Sequence, residues 1–163
     1  MKTAGPSLFS DMALYQLLTG SPFGPLTLSG TETALTGLAF GDVREAGDRP
    51  SPVLEQAAEE LAAYFAGARR EFTVPLAPAG SSFQKKVWGA LRDVPYGTTA
   101  SYKEIAQRIG KPGAAIAVGQ ANSRNPIPVI IPCHRVIGAD GKLVGYTGGL
   151  HIKTALLGLE GVL

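Results

Sequence analysis

Residues 101–124, Ser101-Tyr102-Lys103-Glu104-Ile105-Ala106-Gln107-Arg108-Ile109-Gly110-Lys111-Pro112-Gly113-Ala114-Ala115-Ile116-Ala117-Val118-Gly119-Gln120-Ala121-Asn122-Ser123-Arg124, decide how the second half of the chain folds. Ser101 and Glu104 have the spacing of a capping box, in which each side chain satisfies a backbone N–H that the first helical turn leaves free. Ile105 and Ile109 then fall four apart on one face. Gly110-Lys111-Pro112-Gly113 is a tight turn, and a second helix runs from Ala114 to about Arg124, built mostly of small residues. Two short helices about a glycine turn predict a helix-turn-helix. Such a hairpin is either a plain packing unit or a device that presents its second helix to DNA. With few Arg, Asn or Gln at its start, this second helix is poorly equipped to read base edges in a major groove. Small side chains instead let a backbone approach a duplex closely.

Upstream, Ser81 and Gln84 form a second capping box, for a helix with Phe83, Val87, Ala90 and Leu91 inward that ends near Pro95 and Gly97. Pro75 to Gly80 has linker composition. Before it, Pro25 to Gly30 alternates apolar and polar residues, Thr31-Glu32 turns, and Leu35 to Phe40 offers a second strand, which predicts a hairpin. Ser51-Pro52 supplies an N-cap and a first-turn proline for a helix with Leu54, Ala58, Leu61 and Phe65 on one face and Gly67 as its stop. Phe72-Thr73-Val74 is expected to be a short strand. The domains expected are 1–78, an α/β unit without any motif to which chemistry can be assigned, and 79–163, mainly α.

Charge follows the same division. Residues 1–80 carry 5 Lys or Arg against 9 Asp or Glu, while residues 81–163 carry 10 against 4. A basic half joined to an acidic one points to a polyanionic partner reaching the second half only, against the alternative of a chance imbalance on two solvated surfaces. The 163 residues are 45% hydrophobic and 17% charged, as in an ordinary globular protein. No apolar run approaches the roughly 18 residues of a membrane span, and Met1 to Pro6 is not followed by a signal-like stretch, so a cytoplasmic protein with no membrane partner is expected. One cysteine excludes an internal disulfide. With His134 and His151 as the only histidines, no metal site is expected.

That cysteine lies downstream of the helical hairpin, in Ile130-Ile131-Pro132-Cys133-His134-Arg135-Val136-Ile137-Gly138. A sulfur nucleophile is followed directly by a proton acceptor and a cation, either of which raises the thiolate fraction. The alternative is a buried cysteine in a core strand. In an extended strand neighbouring side chains point to opposite faces, so a direct Cys133–His134 pair requires a turn. Beyond it, Asp140-Gly141 signals a hairpin turn, and Val144-Gly145-Tyr146-Thr147-Gly148-Gly149 either returns as a loop over Cys133 or simply connects to a last helix from Leu150.

Taken together, Val94-Pro95-Tyr96-Gly97, Ser101-Tyr102, Arg124-Asn125-Pro126, Pro132-Cys133-His134-Arg135, Gly145-Tyr146-Thr147-Gly148-Gly149-Leu150 and Leu159-Glu160-Gly161 resemble, in order and spacing, the signature of the O6-alkylguanine-DNA alkyltransferases. The resemblance covers residues 80 to 161. It implies a ribonuclease-H-like α/β N-terminal domain and a mainly α C-terminal winged helix-turn-helix domain. The activity implied is direct-reversal DNA repair, in which an alkyl group on O6 of guanine, with O4-alkylthymine left open, passes irreversibly to Cys133. The thioether product does not hydrolyse, so one chain repairs one lesion and needs no cofactor.

By the same resemblance, His134 acts on Cys133 through a water and is oriented by Glu160, Asn125 braces the loop, and Tyr102 donates to the departing base. Tyr146, Thr147, Gly148 and Val136 hold the substrate. Thr99, Tyr102, Ala115, Ile116, Ala117, Gly119, Ser123 and Arg124 meet alkylated duplex DNA in its minor groove. A monomer is implied, with cooperative assembly on DNA left open. The chain departs from its relatives at Ile116, where the family typically has an arginine that takes the place of the extruded nucleotide. An apolar wedge still unstacks bases but forms no hydrogen bond to the orphaned partner, which predicts slower repair of duplex DNA; the alternative is an Ile116 packed into the core. Two other classes stay open from sequence: a lesion sensor of the same fold, against which Cys133 speaks, and a cysteine hydrolase, which would turn over repeatedly.

Overall fold

The computed structural model describes residues 14–163, so the N-terminal stretch from Met1 to Pro6 lies outside the described residues. The chain divides between Pro78 and Ala79 into two compact units. In the first, strands β1 (Leu14–Leu18), β2 (Leu26–Gly30) and β3 (Leu35–Phe40) form an antiparallel sheet in the order β1-β2-β3, covered by helix α1 (Pro52–Phe65). The predicted hairpin is β2–β3, with Leu28 opposite Leu38. Its turn is closed by Thr31, whose hydroxyl accepts from the Thr33 and Ala34 amides, in the way such side chains imitate a backbone turn. Gly30 marks a register shift, and a Cβ there would come within 2.5 Å of the Ala34 carbonyl.

Helix α1 starts as its sequence dictates, with the Ser51 hydroxyl accepting from the Leu54 amide and Pro52 in the first turn. Gly67, at φ +77°, ends it in the left-handed conformation that glycine adopts without penalty. The buried face comprises Val53, Leu54, Ala57, Glu60, Leu61 and Tyr64, rotated from the predicted one: Ala58 and Phe65 are only half-buried. Phe65 instead packs edge-on against Phe23 and Tyr64, with ring centroids 5.8 and 5.5 Å away.

The strand expected at Phe72-Thr73-Val74 is absent. The buried Glu60 carboxylate accepts from the Thr73 amide (3.0 Å), the Val74 amide (3.1 Å), the Thr73 hydroxyl (2.7 Å) and Arg69 Nη2 (3.1 Å), so donors that a ladder would have used are satisfied by a side chain. A single parallel bridge, Leu35 with Leu76, forms just downstream.

In the second unit, helix α2 (Ser82–Arg92) carries the complete Ser81/Gln84 capping box and buries Val87, Trp88 and Leu91, with Phe83 and Ala90 half-buried. Trp88 Nε1 donates to the Ala121 carbonyl at 2.9 Å and so fixes α2 against α4 (Ala115–Ser123). Strand β4 (Ala100–Ser101) leads directly into α3 (Tyr102–Arg108), whose Ser101/Glu104 capping box is also complete. Gly110, at φ +76°, turns the chain into α4, giving the predicted helix-turn-helix. A single 3₁₀ turn, Cys133–Arg135, follows, then β5 (Val136–Ile137) and α5 (Leu150–Leu159). Strands β4 and β5 pair in parallel, Ala100 with Val136 and Ser101 with Ile137. That pairing brings the start of α3 beside the turn bearing Cys133. Among the described residues no helix is long and apolar enough to cross a membrane.

Candidate active site

The core-strand reading of Cys133 is overturned by the backbone: Cys133, His134 and Arg135 form a 3₁₀ turn, and regular extended structure begins only at Val136. The turn is held from outside. Asn125 Nδ2 donates to the Ile131 carbonyl at 2.8 Å while its Oδ1 accepts from the Ile127 amide at 2.9 Å, and Asn122 Nδ2 reaches the Cys133 carbonyl at 3.5 Å. Between these ties, buried Val129 adopts φ +74°, a left-handed conformation that costs a β-branched residue about 1–3 kcal/mol and persists only where its surroundings impose it.

Behind the turn lies a buried charge network. His134 Nε2 and Glu160 Oε2 are 2.7 Å apart, and Arg135 holds the same carboxylate with two nitrogens, Nε to Oε1 at 2.8 Å and Nη2 to Oε2 at 2.9 Å. Arg135 Nη1 donates to the Val94 carbonyl at 2.8 Å, and its guanidinium lies 5.7 Å from the centre of the Tyr96 ring. The Val94-Pro95-Tyr96-Gly97 motif is therefore a socket for Arg135, and Arg135 braces the turn through an ion pair. Burial keeps His134 below its ordinary pKa although Glu160 pulls upward, so its ring is neutral at pH 7. With Nε2–H given to Glu160, the lone pair is on Nδ1, which is buried and has no hydrogen-bond partner among the described residues. Burial also pushes the Cys133 thiol up to about 11, against opposing contributions from an Asn125 hydrogen bond, the charge of Lys153, its own backbone and a Tyr146 hydrogen bond. A buried thiol beside a neutral imidazole is a resting nucleophile that must lose its proton as it reacts.

Cys133 opens onto a cavity of about 370 Å³ lined by Tyr102, Gly119, Asn122, Ser123, Gly145, Tyr146 and Thr147. Its size and its mixed aromatic and polar lining suit one small planar ligand. Tyr102 is raised above its ordinary pKa by burial and then by Cys133, so its hydroxyl remains a donor at neutral pH. Tyr146 and Thr147 arrive on an irregular segment after the Asp140-Gly141 turn, where Gly141 has φ +82°. Of the site residues expected from sequence, Cys133, Tyr102, Tyr146, Thr147, Gly119 and Ser123 meet in this wall, and His134, Glu160 and Asn125 lie behind it.

Val136 and Gly148 are outside the wall: Val136 is fully buried in β5, and Gly148 is half-buried. Thr99 is half-buried just before β4. Ala115, Ile116 and Ala117 form the first turn of α4, with Ile116 83% exposed, which removes the reading of Ile116 as a core residue. Arg124 is exposed at the far end of the helix, over a neighbouring hollow shared with Ser81, Gln84, Ala117 and Gln120.

Sequence reasoning missed Asn122 and Lys153, whereas Gly145 lies in the segment expected to return over Cys133. Lys153 is fully buried, and its Nζ donates to the carbonyls of Val136 (2.7 Å), Val144 (2.8 Å) and Gly145 (3.4 Å). The signal was its position three and four residues before Leu156 and Leu157, which puts it on the apolar face of α5. Among the described residues no group of three His, Cys, Asp or Glu could hold a metal ion.

Known proteins resemble this chain in sequence and fold. The family model described as "6-O-methylguanine DNA methyltransferase, DNA binding domain" matches residues 82–162, and that of the ribonuclease-like domain of the same family matches residues 14–78. The chain is 49% identical over 154 residues to the methylated-DNA–protein-cysteine methyltransferase of Methanosarcina acetivorans, covering 91% of this chain and 99% of that one. It is 53% identical over 145 residues to the Mycobacterium tuberculosis protein of the same name, covering 86% and 88%. The crystal structure of the Mycobacterium tuberculosis O6-methylguanine methyltransferase superposes with a TM-score of 0.82 at 49% identity, covering 91% of this chain and 93% of that one. The Mycobacterium tuberculosis OGT in complex with DNA gives the same score at 52% identity, covering 90% and 91%. A thiol at the wall of a cavity, backed by an imidazole–carboxylate pair and flanked by a helix-turn-helix, together with similarity spanning both units, establishes that the chain belongs to the 6-O-methylguanine DNA methyltransferase family.

Proposed function

We propose that this chain repairs DNA by taking the alkyl group from O6 of an extruded alkylguanine onto Cys133, once per molecule and without a cofactor. What carries the reading is that Cys133 shares one cavity wall with Tyr102 and Tyr146, and that the next residue, His134, is paired with Glu160. The alkyl carbon is an SN2 centre: the sulfur–carbon bond forms as the carbon–O6 bond breaks, and the electron pair leaves on the base. The thiol proton passes through a bridging water to His134 Nδ1, while Glu160 fixes the opposite nitrogen and stabilises the imidazolium. Tyr102 donates its proton to the departing guanine and regains one afterwards, so the thiol's proton ends on the base. An alkyl group on O4 of thymine presents the same centre to the same sulfur.

DNA reaches the site along α4. Ile116, Gly119 and Ser123 lie three and four residues apart on one helical face that runs to the cavity. Small residues allow that face into a minor groove, and Ile116 fills the gap left by the extruded nucleotide. The chain acts as a monomer, in the cytoplasm, where an unpaired thiol stays reduced. The experiment is intact-protein mass after incubation with a duplex containing O6-methylguanine, in parallel with Cys133→Ser. A gain of one methyl group on Cys133, saturating at one per chain and absent from the variant, is expected. An unmodified chain that still binds the lesion would make the protein a sensor.

A further inference from the structure

The segment from Val144 to Gly149, which supplies Gly145, Tyr146 and Thr147 to the cavity, contains no helix or strand. Within it, the Gly149 amide donates to the Tyr146 carbonyl, which closes a local turn but anchors nothing beyond it. The opposite wall, the turn of Cys133, continues into β5 at Val136. Lys153 joins the two. From the first turns of α5 its ammonium donates to Val136 on one side and to Val144 and Gly145 on the other, and its side chain is fully buried.

An ammonium has three N–H groups, and here all three go to main-chain carbonyls, so none is left for a ligand. Among the described residues Lys153 pairs with no carboxylate, and an unpaired buried cation is costly. An apolar residue on the buried face of α5 would serve packing better; a cation is suited to gathering carbonyls that converge from separate segments. Burial pulls Lys153 below its ordinary pKa while the neighbouring Cys133 sulfur opposes the shift, so the two groups are within electrostatic reach of each other.

We propose that Lys153 is a positioning residue for the transfer: by tying the Val144–Gly145 backbone to the backbone that follows Cys133, it sets the width of the cavity and thereby selects for a flat base between Tyr146 and the sulfur. This rests on the reading of the cavity as the base site. It separates two properties of a lysine near a cysteine: its three ties to carbonyls act on the ligand's fit, whereas its charge lowers the thiol's pKa.

The test uses the full chain carrying Lys153→Met, which keeps length and removes the donors, and Lys153→Gln, which keeps two donors. Methyl transfer is followed against the concentration of a duplex containing O6-methylguanine. Cys133 is separately alkylated with iodoacetamide, which needs no base pocket, across pH. In Lys153→Met the half-saturating duplex concentration is expected to rise at least tenfold; the iodoacetamide pH midpoint moves up equally in both variants, which both lack the charge, and Lys153→Gln is expected to recover part of the loss in saturation. A loss in saturation as large in Lys153→Gln as in Lys153→Met overturns the proposal in favour of a charge acting on the thiol, and unchanged saturation in a folded Lys153→Met variant overturns it outright. Should neither variant fold, hydrogen exchange in the unsubstituted chain decides: residues 144–149 must be protected on the timescale of α5, and exchange as fast as in the exposed loop around Asp42–Asp48 overturns it. An unsubstituted chain that accepts no methyl group removes the base-site reading and the proposal with it, a result distinct from a working chain that tolerates the substitution.

Discussion

Glu160 serves His134, Arg135 and the Gly97 amide with its two oxygens, and the consequences of removing its charge are calculable. Glu160→Gln would leave the Arg135 guanidinium buried without a counter-charge and one acceptor oxygen to serve both Arg135 and His134. Breaking a buried pair from one side costs about 3–5 kcal/mol, which urea unfolding of the variant against the parent is expected to show, together with slower methyl transfer. His134 also makes stability depend on pH. Its folded pKa lies below the unfolded value of 6.5, so the unfolded chain binds the proton more readily between the two. The contribution of the neutral buried ring is complete above pH 6.5 and is lost as pH falls through the folded value. Glu60, also lowered, adds its own loss below about pH 4.5, so unfolding midpoints at pH 7.5, 6 and 5 should decline steadily, and a flat profile from 7.5 to 5 would contradict the buried neutral imidazole. On the alkaline side Cys133, raised from 9.0 to about 11, predicts iodoacetamide alkylation that accelerates roughly tenfold per pH unit above neutrality and levels off near 11.

Among the elements, α3 and α4 divide the work of the second unit, and both were legible in the sequence for stated reasons. A serine N-cap, joined by Pro52 in α1 and by Gln or Glu at capping-box spacing in α2 and α3, is a local signal, and all three helices begin where it predicts. What could not be read were features decided by distant partners: the carboxylate of Glu60 replacing a strand at Thr73, the turn at Cys133 imposed by Asn125, and the buried Lys153, whose acceptors come from two other segments. The α3 cap bears on function because Tyr102 is the first helical residue. Ser101→Ala is expected to cost about 1 kcal/mol in thermal or urea unfolding. At the start of α4, Ile116→Arg is expected to raise the repair rate on duplex DNA while leaving the rate on free O6-methylguanine unchanged, since the exposed side chain does not line the cavity. Equal rates on the duplex would exclude Ile116 as the limiting wedge.

Across the whole molecule, charge and thiol chemistry are each concentrated in one place. Of the ten Lys and Arg in residues 81–163, Arg135 and Lys153 are buried and consumed internally; the other eight are exposed, against exposed Asp93, Glu104 and Asp140. Binding to undamaged duplex should therefore weaken linearly on a log–log plot against salt, and Arg124→Ala is expected to reduce that slope by about one if its guanidinium meets a phosphate, as fluorescence anisotropy would measure. The single sulfhydryl is 2% exposed, and its high pKa leaves almost none of it ionised at pH 7. Peroxide oxidation follows thiolate content and access, so the rate of sulfenic acid formation on Cys133 is expected to be at least a hundredfold below that of free cysteine, checked by mass after timed peroxide exposure. A molecule that can react only once thus has a shelf life: the enclosure that slows its chemistry at rest also keeps it unspent through oxidative conditions that consume ordinary cellular thiols.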